Sequence, residues 1–125
     1  MILSINHIQL VAEKDLVVKL RDFYCDVVGL TEGFRPTFER FGFWLYIENK
    51  DVLHLTTPKE GDGRSPQKSS FDHVAFKTTN YQGVLKKLKS LSIPFEEKPI
   101  PGITAHQIFL RDPAGNRVEL NFDGD

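Results

Sequence analysis

Two six-residue stretches of this chain follow one formula, and that repeat limits the possible folds more than any other feature. Ile5-Asn6-His7-Ile8-Gln9-Leu10 and Phe71-Asp72-His73-Val74-Ala75-Phe76 both run apolar, Asx, His, apolar, any, apolar. Self-similarity of this kind points to copies of one supersecondary unit. The residues after each stretch agree with that. Asp15 can cap a helix whose Leu16, Leu20, Phe23 and Val27 share one stripe, with Gly29 placed to end it. In the second half Asn80 can cap a helix carrying Tyr81, Val84, Leu85, Leu88 and Leu91, stopped by Ser92-Ile93-Pro94.

Three extended segments come next in each half. In the first they are about Thr31–Glu39, Phe43–Glu48 and Val52–Thr57, with Asn49-Lys50-Asp51 turning between the last two. In the second they are about Phe95–Pro99, Ala105–Arg111 and Arg117–Phe122. Asp112-Pro113-Ala114-Gly115-Asn116 makes the final turn, since Pro presets φ and Gly supplies a positive one. Each half thus reads β-α-β-β-β, an α+β class. The expected arrangement is two paired modules, 1–57 and 71–125, in a single domain with helices outside and a cupped mixed sheet. Residues 58–70, rich in Lys, Gly, Ser and Pro, form the expected linker. Gly61-Asp62-Gly63 lacks the strand–helix context of a phosphate loop.

Side chains alternate across a strand, so a polar residue between apolar neighbours faces away from the helix-packed side. That rule aims His7, His54, His73 and Glu119 into the cup, on the first and last strands of each half. His7 corresponds to His73, and His54 to Glu119. A lone strand His is more often structural than functional, but four ligand-type residues at matched positions are poorly explained that way. Three imidazoles and a carboxylate suit one divalent ion of the zinc, nickel, cobalt, manganese or iron type. Gln9, Trp44, Tyr46 and His106 are expected to line the cup around a substrate, and Arg35, Arg40 and Arg111 are candidates for holding an anionic one.

Composition removes other classes. A net charge of −1 leaves no basic surplus for phosphates, so no nucleic-acid partner is expected. Neither a polybasic stretch nor an apolar run of ~18–20 residues is present, so no membrane partner is expected either. The single cysteine, Cys25, rules out an intramolecular disulfide and a thiolate zinc site, and is expected as a small buried hydrophobe on the first helix. The N-terminal stretch lacks the charged region of a signal peptide, which makes the cytoplasm the expected location.

Taken together, these residues resemble the vicinal oxygen chelate superfamily, which includes glyoxalase I, extradiol dioxygenases, methylmalonyl-CoA epimerase, fosfomycin-resistance transferases and bleomycin-resistance proteins. The resemblance covers nearly the whole chain. It rests on Asn6-His7-Ile8, on Phe23-Tyr24 followed by Val28-Gly29-Leu30, on Asp72–Phe76 and on Arg111–Leu120. It implies paired βαβββ modules, a metal in the cup held at the positions of His7, His73 and Glu119, and a homodimer. It further implies a lyase or isomerase that chelates vicinal oxygens of a small substrate, with Glu119 moving a proton. Extradiol-type oxygenation of a catechol and metal-free sequestration of a drug are the alternatives. His54 stands where bacterial glyoxalase I has Glu and the epimerase Gln, Val11 where that glyoxalase carries Arg, and Phe109 where extradiol enzymes use Tyr.

Overall fold

A computed structural model describes residues 1, 3–61, 73–99 and 106–122. The chain divides into two compact units, Met1–Pro66 and Gln67–Asp125. The first contains β1 (Ile8–Val11), α1 (Lys14–Phe23), β2 (Thr31–Gly33), β3 (Gly42–Ile47) and β4 (Lys50–Thr56). The second contains β5 (His73–Thr78), α2 (Tyr81–Ser90), β6 (Glu96–Pro99), β7 (His106–Arg111) and β8 (Arg117–Phe122). Their sheets have the same order, β1-β4-β3-β2 and β5-β8-β7-β6. The outer pair is parallel in each, and the other two pairs are antiparallel. The expected β-α-β-β-β repeat is therefore the observed one.

In the first unit α1 packs on β3 and β4. Val17, Leu20 and Phe23 are buried there, as are Leu45, Leu53 and Leu55 from the strands. In the second, Leu85 and Leu88 of α2 are buried, as are Ile108, Leu110, Val118, Leu120 and Phe122 of the sheet. Tyr81 meets Phe122 edge-on at 5.2 Å, tying the start of α2 to β8. These buried residues alternate along their strands, which leaves the residues between them on the opposite face.

Several expected boundaries move, each for a local reason. The first helix starts at Lys14, not after Asp15, because Val17 N–H already donates to the Glu13 carbonyl at 2.9 Å. Asp15 sits in the first turn instead, where its charge complements the helix dipole. The helix then widens into a π-helical turn over Tyr24–Val28, closed by Gly29 at φ 107°. The wider turn lets the successive rings of Phe23 and Tyr24 both bury, 5.1 Å apart and edge-on, while Val27 is only half-buried. Cys25 lies on this turn, half-buried, and burial followed by the Asp26 and Glu32 charges raises its thiol pKa.

The segment expected as a strand over Thr31–Glu39 pairs only at Thr31–Gly33. Tyr46 lays its ring against Gly33 and donates its hydroxyl to the Phe34 carbonyl at 2.7 Å, and Pro36 has no N–H for a ladder. The turn expected at Asn49-Lys50-Asp51 is a tighter one at Glu48-Asn49, with Glu48 at φ 53° and Ile47 paired to Lys50.

The cap of α2 is as expected. Asn80 Oδ1 accepts from Gly83 N–H at 3.2 Å, with Asn80 itself in the left-handed region at φ 64°. Asn80→Ala loses both a capping acceptor and a tolerated left-handed residue, and should cost about 2 kcal/mol. Asn80→Gly keeps the backbone freedom and should cost under about 1 kcal/mol by thermal unfolding.

Candidate functional site

In the first unit, strand register puts Gln9, His54 and Trp44 side by side on the face away from α1. His54 is buried at 7% exposure between two flat neighbours. The His7 ring stacks on one side with centroids 3.8 Å apart, and the Trp44 indole on the other at 4.0 Å. Both histidines have an orienting partner. His7 Nδ1 lies 2.8 Å from Asn6 Oδ1, and His54 Nε2 lies 2.6 Å from Asp51 Oδ2. With the protons on those nitrogens, Nε2 of His7 and Nδ1 of His54 keep their lone pairs. The hydrogen bond from His54 holds the Asp51 carboxyl below the usual carboxylate range.

Asp51 escapes the sequence reading because strict alternation sends it to the other face. The strand is bulged there. Tyr46 pairs with Asp51 but Leu45 pairs with Leu53, so Val52 is the extra residue and shifts the alternation by one. Asp51 thereby shares the face of His54. Tyr46 is on that face too, but its hydroxyl is committed to the Phe34 carbonyl, so it braces the loop after β2. A cavity of about 460 Å³ opens on this side, lined by Gln9, Trp44 and His54 together with Arg35, Phe38 and Arg40.

The second unit repeats the geometry with other chemistry. Ala75, Glu119 and Phe109 take the register positions of Gln9, His54 and Trp44, and His73 precedes Ala75 as His7 precedes Gln9. His73 Nε2 lies 3.1 Å from Glu119 Oε1. Asn121 donates its side-chain N–H to Glu119 Oε2 at 3.0 Å, so both carboxylate oxygens are engaged although only 5% of the residue is exposed. The Phe109 ring meets His73 edge-on at 5.8 Å and carries the Arg117 guanidinium at 3.8 Å. Asn121 could have been found from sequence, since it stands two residues beyond Glu119 on the same face.

His106 does not join this face. Its register with Phe122 places it on the α2 side, where its ring stacks on Tyr81 at 4.3 Å. That corrects its expected place as a lining residue. The cationic candidates also divide: Arg35 and Arg40 line the first unit's cavity, whereas Arg111 donates to the Gly115 carbonyl at 3.0 Å in the β7–β8 turn.

Each unit therefore offers a pair of ligand-type side chains, His7 with His54 and His73 with Glu119. Among the described residues no three His, Cys, Asp or Glu side chains gather as a ready-made cage. Within each unit the donor chemistry nonetheless suits a divalent ion: two imidazoles oriented by Asn6 and Asp51 in the first, and an imidazole with a buried carboxylate oriented by Asn121 in the second.

Comparison with known proteins gives the same fold. Residues 4–120 match the Glyoxalase/Bleomycin resistance protein/Dioxygenase superfamily. A glyoxalase family protein from Bacillus anthracis is 22% identical over 98% of this chain and 97% of its own, with a TM-score of 0.78. The fosfomycin resistance protein FosX from Listeria monocytogenes is 19% identical over 98% and 94%, TM-score 0.70. A variant of FosX has been solved with manganese(II) and 1S,2S-dihydroxypropylphosphonic acid. Lactoylglutathione lyase from Agrobacterium tumefaciens is 20% identical over 97% and 94%, TM-score 0.65. At such identities the structural likeness speaks for the fold alone. No curated protein matches the sequence.

Proposed function

We propose that this chain, which belongs to the Glyoxalase/Bleomycin resistance protein/Dioxygenase superfamily, is a metal-dependent lyase or isomerase acting on a small substrate with vicinal oxygens. The observation that carries the proposal is the repeated pair. A ligand-type residue just before or at the start of the first strand meets another at the matched register of the last strand, as His7 with His54 and as His73 with Glu119. Core packing alone would not favour a buried carboxylate and a buried imidazole at these two positions, since each must be compensated by partners.

In this reading His7, His54, His73 and Glu119 are the residues that would hold one divalent ion. A bound ion supplies Lewis acidity, neutralising charge that develops on a substrate oxygen. The chain's own residues supply the rest. Asn121 fixes Glu119 Oε2, and Oε1, which faces His73 Nε2, would exchange that contact for the substrate, take a proton from the substrate carbon and return it. Trp44 and Gln9 give the substrate one flat apolar wall and one polar contact. The superfamily match, and the manganese(II) held by a FosX variant of the same fold, are in keeping with a metal-dependent reading.

The test is turnover with the reconstituted metal forms. The proposal expects a metal-dependent, oxygen-independent conversion of an α-oxygenated substrate such as a thiol hemithioacetal. Iron(II)-dependent oxygen uptake with a catechol, and no conversion of hemithioacetals, would replace it by ring-cleaving oxygenation.

A further inference from the structure

The cavity of the first unit has a feature that the metal chemistry leaves unused. Arg35 and Arg40 both line it, beside His54 and Trp44. Arg40 is anchored, donating from one guanidinium nitrogen to the Thr57 carbonyl at 3.1 Å. Arg35 lies against the backbone of β3: a Cβ built at Gly42 would come within 3.0 Å of its guanidinium and 2.1 Å of the Leu55 carbonyl. Its outer face stacks on Phe38 at 4.9 Å. Its Nε is buried and has no hydrogen-bond partner.

An unpartnered buried N–H is costly, and a second guanidinium nearby adds like-charge repulsion. Burial, and then the Arg40 charge, push the Arg35 guanidinium below its ordinary range. Glu39 and Glu60 line the same cavity, together with Lys59, and would be the obvious means of relief. Yet among the described residues neither Arg35 nor Arg40 makes an ion pair with a carboxylate. Two guanidiniums lining one cavity, one with an unused buried donor, offer planar forks of donors to the paired oxygens of a carboxylate or phosphonate.

We propose that Arg35 and Arg40 form an anion subsite, so that the substrate carries a carboxylate or a phosphonate-type group held beside His54. This deepens the proposed function by naming a substrate class, and rests on that reading only for what happens after binding.

Trp44 lines the cavity and is the only tryptophan, so its fluorescence reports occupancy directly. The probes are lactate, methylphosphonate and the uncharged propane-1,2-diol, titrated into full-length protein freed of metal with a chelator. At least one anion should saturate the Trp44 signal, and which one identifies the group; the diol should not. Arg35→Gln and Arg40→Gln should each weaken that anion about tenfold or more, Arg35→Lys should restore only part, and Arg111→Gln should match wild type. Circular dichroism of each variant separates lost binding from lost folding. Absence of saturable anion binding in wild type, or equal affinity in folded Arg35→Gln and Arg40→Gln, would overturn the subsite. Because no metal is present, that failure would leave the metal proposal standing, and the converse also holds.

Discussion

Glu119→Gln is expected to weaken the hold on a divalent ion by at least about a hundredfold while shifting thermal unfolding by no more than a few degrees. The two halves of that result come from one geometry. Glu119 is almost fully buried, with one oxygen beside His73 and the other accepting from Asn121. Gln keeps the shape and a carbonyl oxygen for one of those partners, and it removes the cost of burying a charge. What it cannot supply is the negative charge, either as a ligand or as a proton acceptor. If the carboxylate were retained for folding, the order would reverse: a large fall in Tm and little change in metal affinity. Competition titration with a chromophoric chelator and calorimetry of the metal-free protein measure both quantities on the same sample.

The second large effect is on stability. Asp112→Ala should cost about 2–3 kcal/mol, near 10 °C in Tm for a chain of this size. The buried Asp112 carboxylate organises the β7–β8 turn. Its Oδ1 accepts from the backbone N–H groups of Ala114 and Asn116, each at 2.9 Å, and its Oδ2 accepts from the Asn116 side chain at 2.9 Å. Gly115 completes the reversal at φ 87°, donating to the Asp112 carbonyl at 2.8 Å. Alanine would strand three donors at once. Asp112→Asn keeps one acceptor oxygen and should lose about half as much. The strand that leaves this turn carries Glu119, so the same substitution should also loosen the His73–Glu119 pair.

Much of this was legible in the sequence because the signals were periodic. The Asx-His formula at Asn6-His7 and Asp72-His73 announced two like units, and alternation around His54 and Glu119 placed both on the face away from the helices. Ring stacking then joins His7 to His54 and a 3.1 Å contact joins His73 to Glu119, each histidine standing two residues before the register partner, Gln9 or Ala75. What periodicity could not carry was any departure from it. The bulge at Val52 brings Asp51 onto the face of His54, and a strict two-residue alternation denies that placement. The π-helical turn moves burial from Val27 to Tyr24 by the same kind of one-residue slip. His106 was misplaced for a different reason: the run Ile108-Phe109-Leu110 is apolar on both faces and leaves the phase of the strand open, and stacking on Tyr81 decides its face. Residues 34–39, which carry Arg35, read as strand because the brace from Tyr46 to Phe34 is a tertiary contact.

If the two pairs of ligand-type residues hold a metal ion, the protein should carry one when isolated, and its metal content shows whether it does. The measurement is mass spectrometry of tag-free protein purified without chelators, in parallel with protein reconstituted with manganese, iron, cobalt, nickel or zinc. About one tightly held ion per chain is expected, lost in a folded His73→Ala variant. A wild-type chain that retains no ion and takes up none would contradict it, and would make the cavity beside His54 a binding site for a small molecule without metal chemistry.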